Sequence, residues 1–299
     1  MAHKHPHAAS KNIKVAFFLN FAFTLVEIVG GILTNSTAIL ADAIHDLGDT
    51  IALGQAWYFE SLTTQKGSRK YSYGYKRFAL LGALISTVIL LGSSLYVLLE
   101  AIPRLIEPQH SNAQGMALLA VVGIIVNGYA MFKLGSNDNH ASANVRVVAL
   151  HLLEDVLGWL AVLIVAIVLL FKDVHILDPV LAILITLYIL SGVVKNIKQI
   201  LPVFLQATPD NINLKALQSD LESIQHVAAA HHIHAWSMDG QHHVLTAHLE
   251  IDTVLDNSQL LIIKNKAKVI IERYDFFHST VELEYPDEVC RIADNGDCH

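Results

Sequence analysis

Six stretches of about twenty predominantly apolar residues recur along the chain, at 13–33, 38–59, 78–102, 114–134, 145–171 and 179–201, with short polar segments between them. A helix rises 1.5 Å per residue, so about twenty residues cross the roughly 30 Å of a bilayer's hydrocarbon core, a length that a soluble core does not require. The pattern predicts six membrane-spanning helices. After Thr208-Pro209-Asp210 the pattern changes, and Pro209 followed by Asp210 and Asn211 is a helix-start signal. Residues 213–223 have helical spacing, 230–238 and 243–251 alternate as strands about Asp239-Gly240, 257–274 are helical again, and 280–285 alternate. This α-β-β-α-β order predicts a compact α+β domain. The expected organisation is a cytosolic tail over 1–12, a six-helix transmembrane domain over 13–208, and a cytosolic α+β domain with a short C-terminal tail over 209–299.

Composition supports membrane residence. Of the 299 residues, 53% are hydrophobic and 16% charged, against about 25% charged in ordinary soluble proteins. The net charge of -7 is mildly acidic, without a basic stripe, which argues against nucleic acid as a partner. Only Cys290 and Cys298 are present, so neither a disulfide framework nor a multi-thiolate metal site is indicated. The N-terminal MAHKHPHAASKNIK runs into the first span without a small-residue cleavage signature, so the first helix is expected to stay in the membrane.

Lys4, Lys11, Lys14, Lys66, Arg69, Lys70, Lys76, Arg77, Lys133, Arg146, Lys195 and Lys198 fall on one side of the predicted bundle, while the other side has chiefly Arg104 and Lys172. Positively charged loops are retained in the cytoplasm, so both termini are expected there. A multi-pass protein of a cell membrane, most plainly a bacterial inner membrane, is the resulting expectation.

Ionisable residues interrupt two of the spans. LADAIHDLGD in the second holds Asp42, His45, Asp46 and Asp49, and HLLEDVLG in the fifth holds His151, Glu154 and Asp155. A charged group at the bilayer centre costs about 2.5–3.5 kcal/mol even on the lenient insertion scale, so something must compensate these residues. His45 with Asp49, and His151 with Asp155, are each four apart and lie one turn apart on one helix face. Two imidazoles and two carboxylates facing each other supply four ligands at tetrahedral geometry. That set suits Zn²⁺, whereas magnesium and calcium prefer oxygen shells. The bland alternative is a pair of internal hydrogen bonds stabilising the bundle, and it does not explain why the same i,i+4 device appears twice. Asp42 and Asp46, on neighbouring faces, are candidate supporting or pathway groups. Asn20 and Glu27 of the first span and Asn127 of the fourth are read chiefly as interhelical packing groups, with Asn20 a further pathway candidate.

With these residues in hand, the chain resembles the cation diffusion facilitator family, in particular its zinc-exporting branch. The resemblance is carried by LADAIHDLGD, YSYGYKRFALLGAL, HLLEDVLG, and HHIHAW followed by LTAHLEI, in that order. It implies a homodimer in the lipid bilayer, a transport site of His45, Asp49, His151 and Asp155, and export of Zn²⁺ in exchange for protons; ligand chemistry alone leaves Cd²⁺, manganese and iron open as alternative cargo. It also implies a ferredoxin-like cytosolic domain that binds a regulatory zinc ion and helps dimerise. In that domain His231 and His248 match ligand positions of the family, and Glu282 or Glu284 can complete the shell. No organic cofactor is expected, and the protein is not expected to be an enzyme. Ala79 departs from the Glu of many relatives, and the connection between the second and third spans has neither Asp nor His, so no metal site is expected there.

Two rival functions remain open from residues alone. An intramembrane zinc enzyme would use the same four groups, but no HExxH motif is present and four protein ligands leave no open position. A metal-sensing channel would use them only to gate, and it would not move zinc against its gradient when driven by pH.

Overall fold

The structure, a computed structural model, describes residues 6–63, 67–135, 143–286 and 288, with the side chains of residues 6–16, 56–57, 59–63, 133–135 and 143–151 outside the described set. Six long helices come first: α1 (Pro6–Thr34), α2 (Thr37–Thr63), α3 (Arg77–Ile106), α4 (Ala113–Gly135), α5 (Ala143–Phe171) and α6 (Leu177–Phe204). Among the described residues, five of them are long and apolar enough to cross a membrane. The sixth, α2, has the length, but Asp42, Asp46 and Asp49 break its apolar run.

Two compact units make up the chain, one of Met1–Lys66 with Leu81–Ile197 and one of Gly67–Leu80 with Lys198–His299. In the first unit α1 packs along α2 and α4 along α5, with α1 against α4 and α2 against α5 closing a four-helix ring. Its core includes Ala38, Ile39, Ala41, Met116, Ala120, Trp159, Val162 and Ala166. Small residues permit this close packing where no water drives helices together. A Cβ on Gly123 would stand 2.6 Å from Cγ of Trp159, a buried ring that has nowhere to swing. Gly123→Ala is therefore expected to destabilise the bundle by about 1–3 kcal/mol, read as a lower midpoint of thermal unfolding in detergent. An unchanged midpoint would contradict this packing.

The α1–α2 turn is a helix ending in which Asn35 adopts φ 52° and Ser36 N–H donates to Gly31 O at 3.0 Å. The orphan N–H groups that open α2 are met from another helix. Asp178 of α6 is buried, and its carboxylate accepts from Ser36 Oγ at 2.5 Å, Thr37 N at 2.8 Å, Thr37 Oγ1 at 2.8 Å and Ala38 N at 3.4 Å. One side chain thus caps α2 and fixes the start of α6 to it.

The second unit contains α7 (Leu214–Glu222), β1 (Val227–Ser237), β2 (His243–Ile251), α8 (Asn257–Glu272) and β3 (Phe276–Glu284). This is the ferredoxin-like order without its first strand. The sheet order is β1-β2-β3, with β1 antiparallel and β3 parallel to the central β2. Asn213 caps α7 by accepting from Ala216 N, and Asp256 with Gln259 forms a capping box on α8. Leu217, Leu221, Leu245, Leu249, Ile251, Ile263 and Ile271 form its core. Two strand starts fall well before the sequence reading. β1 begins at Val227 and β3 at Phe276, because pairing to β2 extends both strands past the point where alternation is visible.

Residues 67–80, expected as the connection between the second and third spans and the first residues of the third, belong to this second unit. Lys76 Nζ lies 2.9 Å from His242 Nε2 and 4.8 Å from the centroid of Phe277. His242 Nδ1 donates to Asp239 Oδ2 at 2.7 Å, and Tyr73 meets His278 edge-on at 5.4 Å. Burial alone would raise the Asp239 carboxyl, but the N–H groups of Gln241 and His242 and the His242 ring bring it below its ordinary value.

Candidate functional site

The second helix owes its sidedness to the i,i+4 period. Asp42 and Asp46 are buried, while His45 and Asp49 are half-buried with His45 Nε2 3.7 Å from Asp49 Oδ2. Asn20 of α1 donates to the Asp46 carbonyl at 3.1 Å and to Thr50 Oγ1 at 2.9 Å, tying the two helices beside these carboxylates. This is the interhelical packing bond that its position led us to expect. Glu27 is also buried in α1.

Across from α2, Asp155 of α5 is buried. At Gly158, less than one turn further on, an added Cβ would stand 3.4 Å from Asp42 Oδ1, so Asp42 lies against the α5 backbone close to Asp155. The His151 side chain lies outside the described residues.

Among the described residues, two groups of three ligand-type side chains bring one ligand atom each within 4.8 Å of one another. His45, Asp49 and Asp155 are not one of these groups. The first is His231, His248 and Glu284. His231 and His248 face each other across β1 and β2, and Glu284 of β3 bridges them, its Oε2 2.8 Å from His231 Nε2 and its Oε1 2.5 Å from His248 Nδ1. Glu282 stands further off, at 3.6 Å from His248 Nε2. Of the two acidic candidates on the last strand, Glu284 is the buried one at the centre of the cluster.

A third imidazole joins this cluster against the sequence alternation. His232 should lie on the opposite face from His231, but the β1 register shifts between His231 and His234 and His232 adopts φ 47°. Its ring sits 5.4 Å from His231 and 5.3 Å from His248. Burial, then the neighbouring imidazoles of His248, His231 and His234, hold its pKa below the ordinary histidine value. That favours the neutral ring, the form able to take a metal. The second group, His110, Asp173 and His175, carried no signal that marked it beforehand, since its members sit in two polar connectors far apart in sequence.

These features define a class: a multi-pass membrane protein that keeps carboxylates and an imidazole on two contacting helices inside its bundle, with a small α+β domain attached. The model of the cation efflux transmembrane domain matches residues 13–205, and that of the cation efflux protein cytoplasmic domain matches residues 209–285. The chain is 32% identical over 289 residues to the zinc transporter ZitB of Pectobacterium atrosepticum, covering 95% of this chain and 89% of that protein. It is 31% identical over 293 residues to the metal cation efflux system protein CzcD of Cupriavidus metallidurans, covering 98% and 92%. It is 29% identical over 286 residues to the cadmium, cobalt and zinc/H(+)-K(+) antiporter of Bacillus subtilis, covering 95% and 92%. The chain belongs to the cation efflux, or cation diffusion facilitator, family.

Proposed function

We propose that the protein exports divalent zinc, with cadmium as an alternative cargo, from the cytosol in exchange for protons, and that His45, Asp49, His151 and Asp155 form the transport site. The observation that carries this reading is the contact of α2 with α5, which sets the acidic face of Asp42 and Asp46 against the helix that bears Asp155 inside an otherwise apolar bundle. The names of the relatives, a zinc transporter and a cadmium, cobalt and zinc antiporter, agree with that cargo and that coupling. An intramembrane enzyme or a channel is the weaker reading for a chain with these relatives.

The chemistry supplies its own coupling. Neutral imidazole and carboxylate hold a divalent ion, and protonated imidazole does not, so release of the ion and uptake of protons are linked at one site. Alternating exposure of that site requires a second arrangement of the helices, reached by movement of the α1–α2–α5–α4 ring as a body. Asp42 and Asp46 support the ligands on α2, and Asn20 holds the α2 backbone at Asp46. The Lys and Arg distribution supports a cytoplasmic location for both termini and the α+β domain. Through that domain two copies of the chain associate as a homodimer. His231, His248 and Glu284 hold a regulatory zinc ion there, and binding shifts the population of transport conformations only as far as the two differ in affinity.

The test is zinc uptake into proteoliposomes with an imposed pH gradient. Uptake that runs against the zinc gradient and reverses with the pH gradient is expected. Uptake that only follows the zinc gradient would establish a channel instead.

A further inference from the structure

The connectors α3–α4 and α5–α6 come together at one end of the membrane unit, where His110, Asp173 and His175 gather. We infer that these three residues form a separate, exchangeable site for a borderline-soft divalent cation such as Zn²⁺, with its fourth position open to water. The imidazole rings of His110 and His175 lie 4.1 Å apart between centroids, and Asp173 Oδ1 stands 2.6 Å from His175 Nε2. One ligand atom from each residue falls within 4.8 Å of the other two.

A surface ion pair would account for Asp173 with His175, but not for a second imidazole packed at a tilt of 54° against the first. Two histidines at this distance repel if both are protonated, whereas two neutral rings and one carboxylate are a known ligand complement for zinc, with a vacant position when only three protein groups bind. Ligand atoms at about 2.0–2.1 Å from a tetrahedral ion stand roughly 3.3 Å from one another. Asp173 Oδ1 and His175 Nε2, at 2.6 Å, stand closer than that value, and Asp173 has 85% of its side chain exposed and is free to rotate outward into place.

The backbone holds the histidines where they are. Asn35 Nδ2 donates to the His110 carbonyl at 3.1 Å, Asn112 N donates to Thr34 O at 2.8 Å, and Ser111 N donates to His175 Nδ1 at 3.3 Å. The α3–α4 connector is thereby fastened to the α1–α2 turn, and Asp178, three residues after His175, is fastened to the start of α2. With Nδ1 accepting from Ser111, the neutral His175 ring carries its proton on Nε2. A cation binding at Nε2 displaces that proton, moves the ring to its other tautomer and gives up the long Ser111 bond. The site therefore binds more weakly than one whose ligands are already in the binding tautomer, which makes it exchangeable.

That this end is the face on which cargo leaves rests on the proposed orientation, but the binding itself does not. The test is the zinc bound per protomer by the full-length protein in detergent after equilibrium dialysis, for the intact protein, His110→Ala and Asp173→Ala. Both variants change exposed side chains and leave the His175–Ser111 bond in place. Each is expected to bind one zinc fewer per protomer, and the same loss is expected when Asp49→Ala and His231→Ala are already present. Equal zinc content in the intact protein and in both variants would overturn the proposal. Because the readout is bound metal, its failure is distinct from a failure of pH-driven transport.

Discussion

Asp49→Ala and Asp155→Ala are each expected to reduce pH-driven zinc flux by at least about a hundredfold while the protein stays folded. A zinc site of four protein ligands binds with roughly 10–16 kcal/mol, so one ligand represents about 3 kcal/mol, which is a factor of about a hundred in affinity. Charge adds to this. Two carboxylates and two neutral imidazoles cancel the charge of a divalent ion, and removing one carboxylate leaves a net positive charge in a low-dielectric bundle. Asp42→Asn is a contrasting variant, because Asp42 lies against Gly158 and is proposed to support the ligands without being one: it should slow flux and leave stoichiometric zinc binding intact. The measurement is zinc uptake by proteoliposomes carrying each variant at matched protein content. Flux in Asp49→Ala or Asp155→Ala within twofold of the intact protein would remove these residues from the transport site.

The second large effect is structural. Asp178→Ala is expected to cost about 3–5 kcal/mol, since it leaves Ser36 Oγ, Thr37 Oγ1 and the N–H groups of Thr37 and Ala38 without their buried acceptor. It also removes a negative charge from the positive end of α2. Asp178→Asn retains one accepting oxygen and should lose roughly half as much. Thermal unfolding in detergent should show the alanine variant about 10 °C lower, with the asparagine variant between. A melting curve that overlays the intact protein's would show that α2 and α6 do not depend on this carboxylate.

Several of these features could be read from residues alone, and the reasons differ. Five of the spans follow plainly from length and hydropathy, and α2, whose apolar run is broken, stood out by carrying carboxylates where lipid makes them expensive. His45 with Asp49 was visible because a helix has one fixed period. His231 and His248 were visible through family likeness, but His232 was hidden by a β-bulge, which breaks the two-residue period on which strand reasoning depends. The role of Glu284 over Glu282 depended on register, which a single strand does not reveal. His110 and His175 looked like unrelated connector residues, although alternating spans require that the third-to-fourth and fifth-to-sixth connectors lie on one side. Asp178 carried no mark in the sequence, and its use as the cap of α2 appears only in three dimensions.

The Gly67–Leu80 segment means that the α+β unit is threaded twice by the chain and is not a detachable tail. A soluble fragment cut at residue 209 would lack Tyr73 and Lys76, leaving the Phe277 face bare and Asp239 and His242 without their cation. Metal affinities and dimer strengths measured on such a fragment would therefore describe a different surface from the one the intact protein presents, and the fragment should be more prone to associate through that uncovered aromatic face.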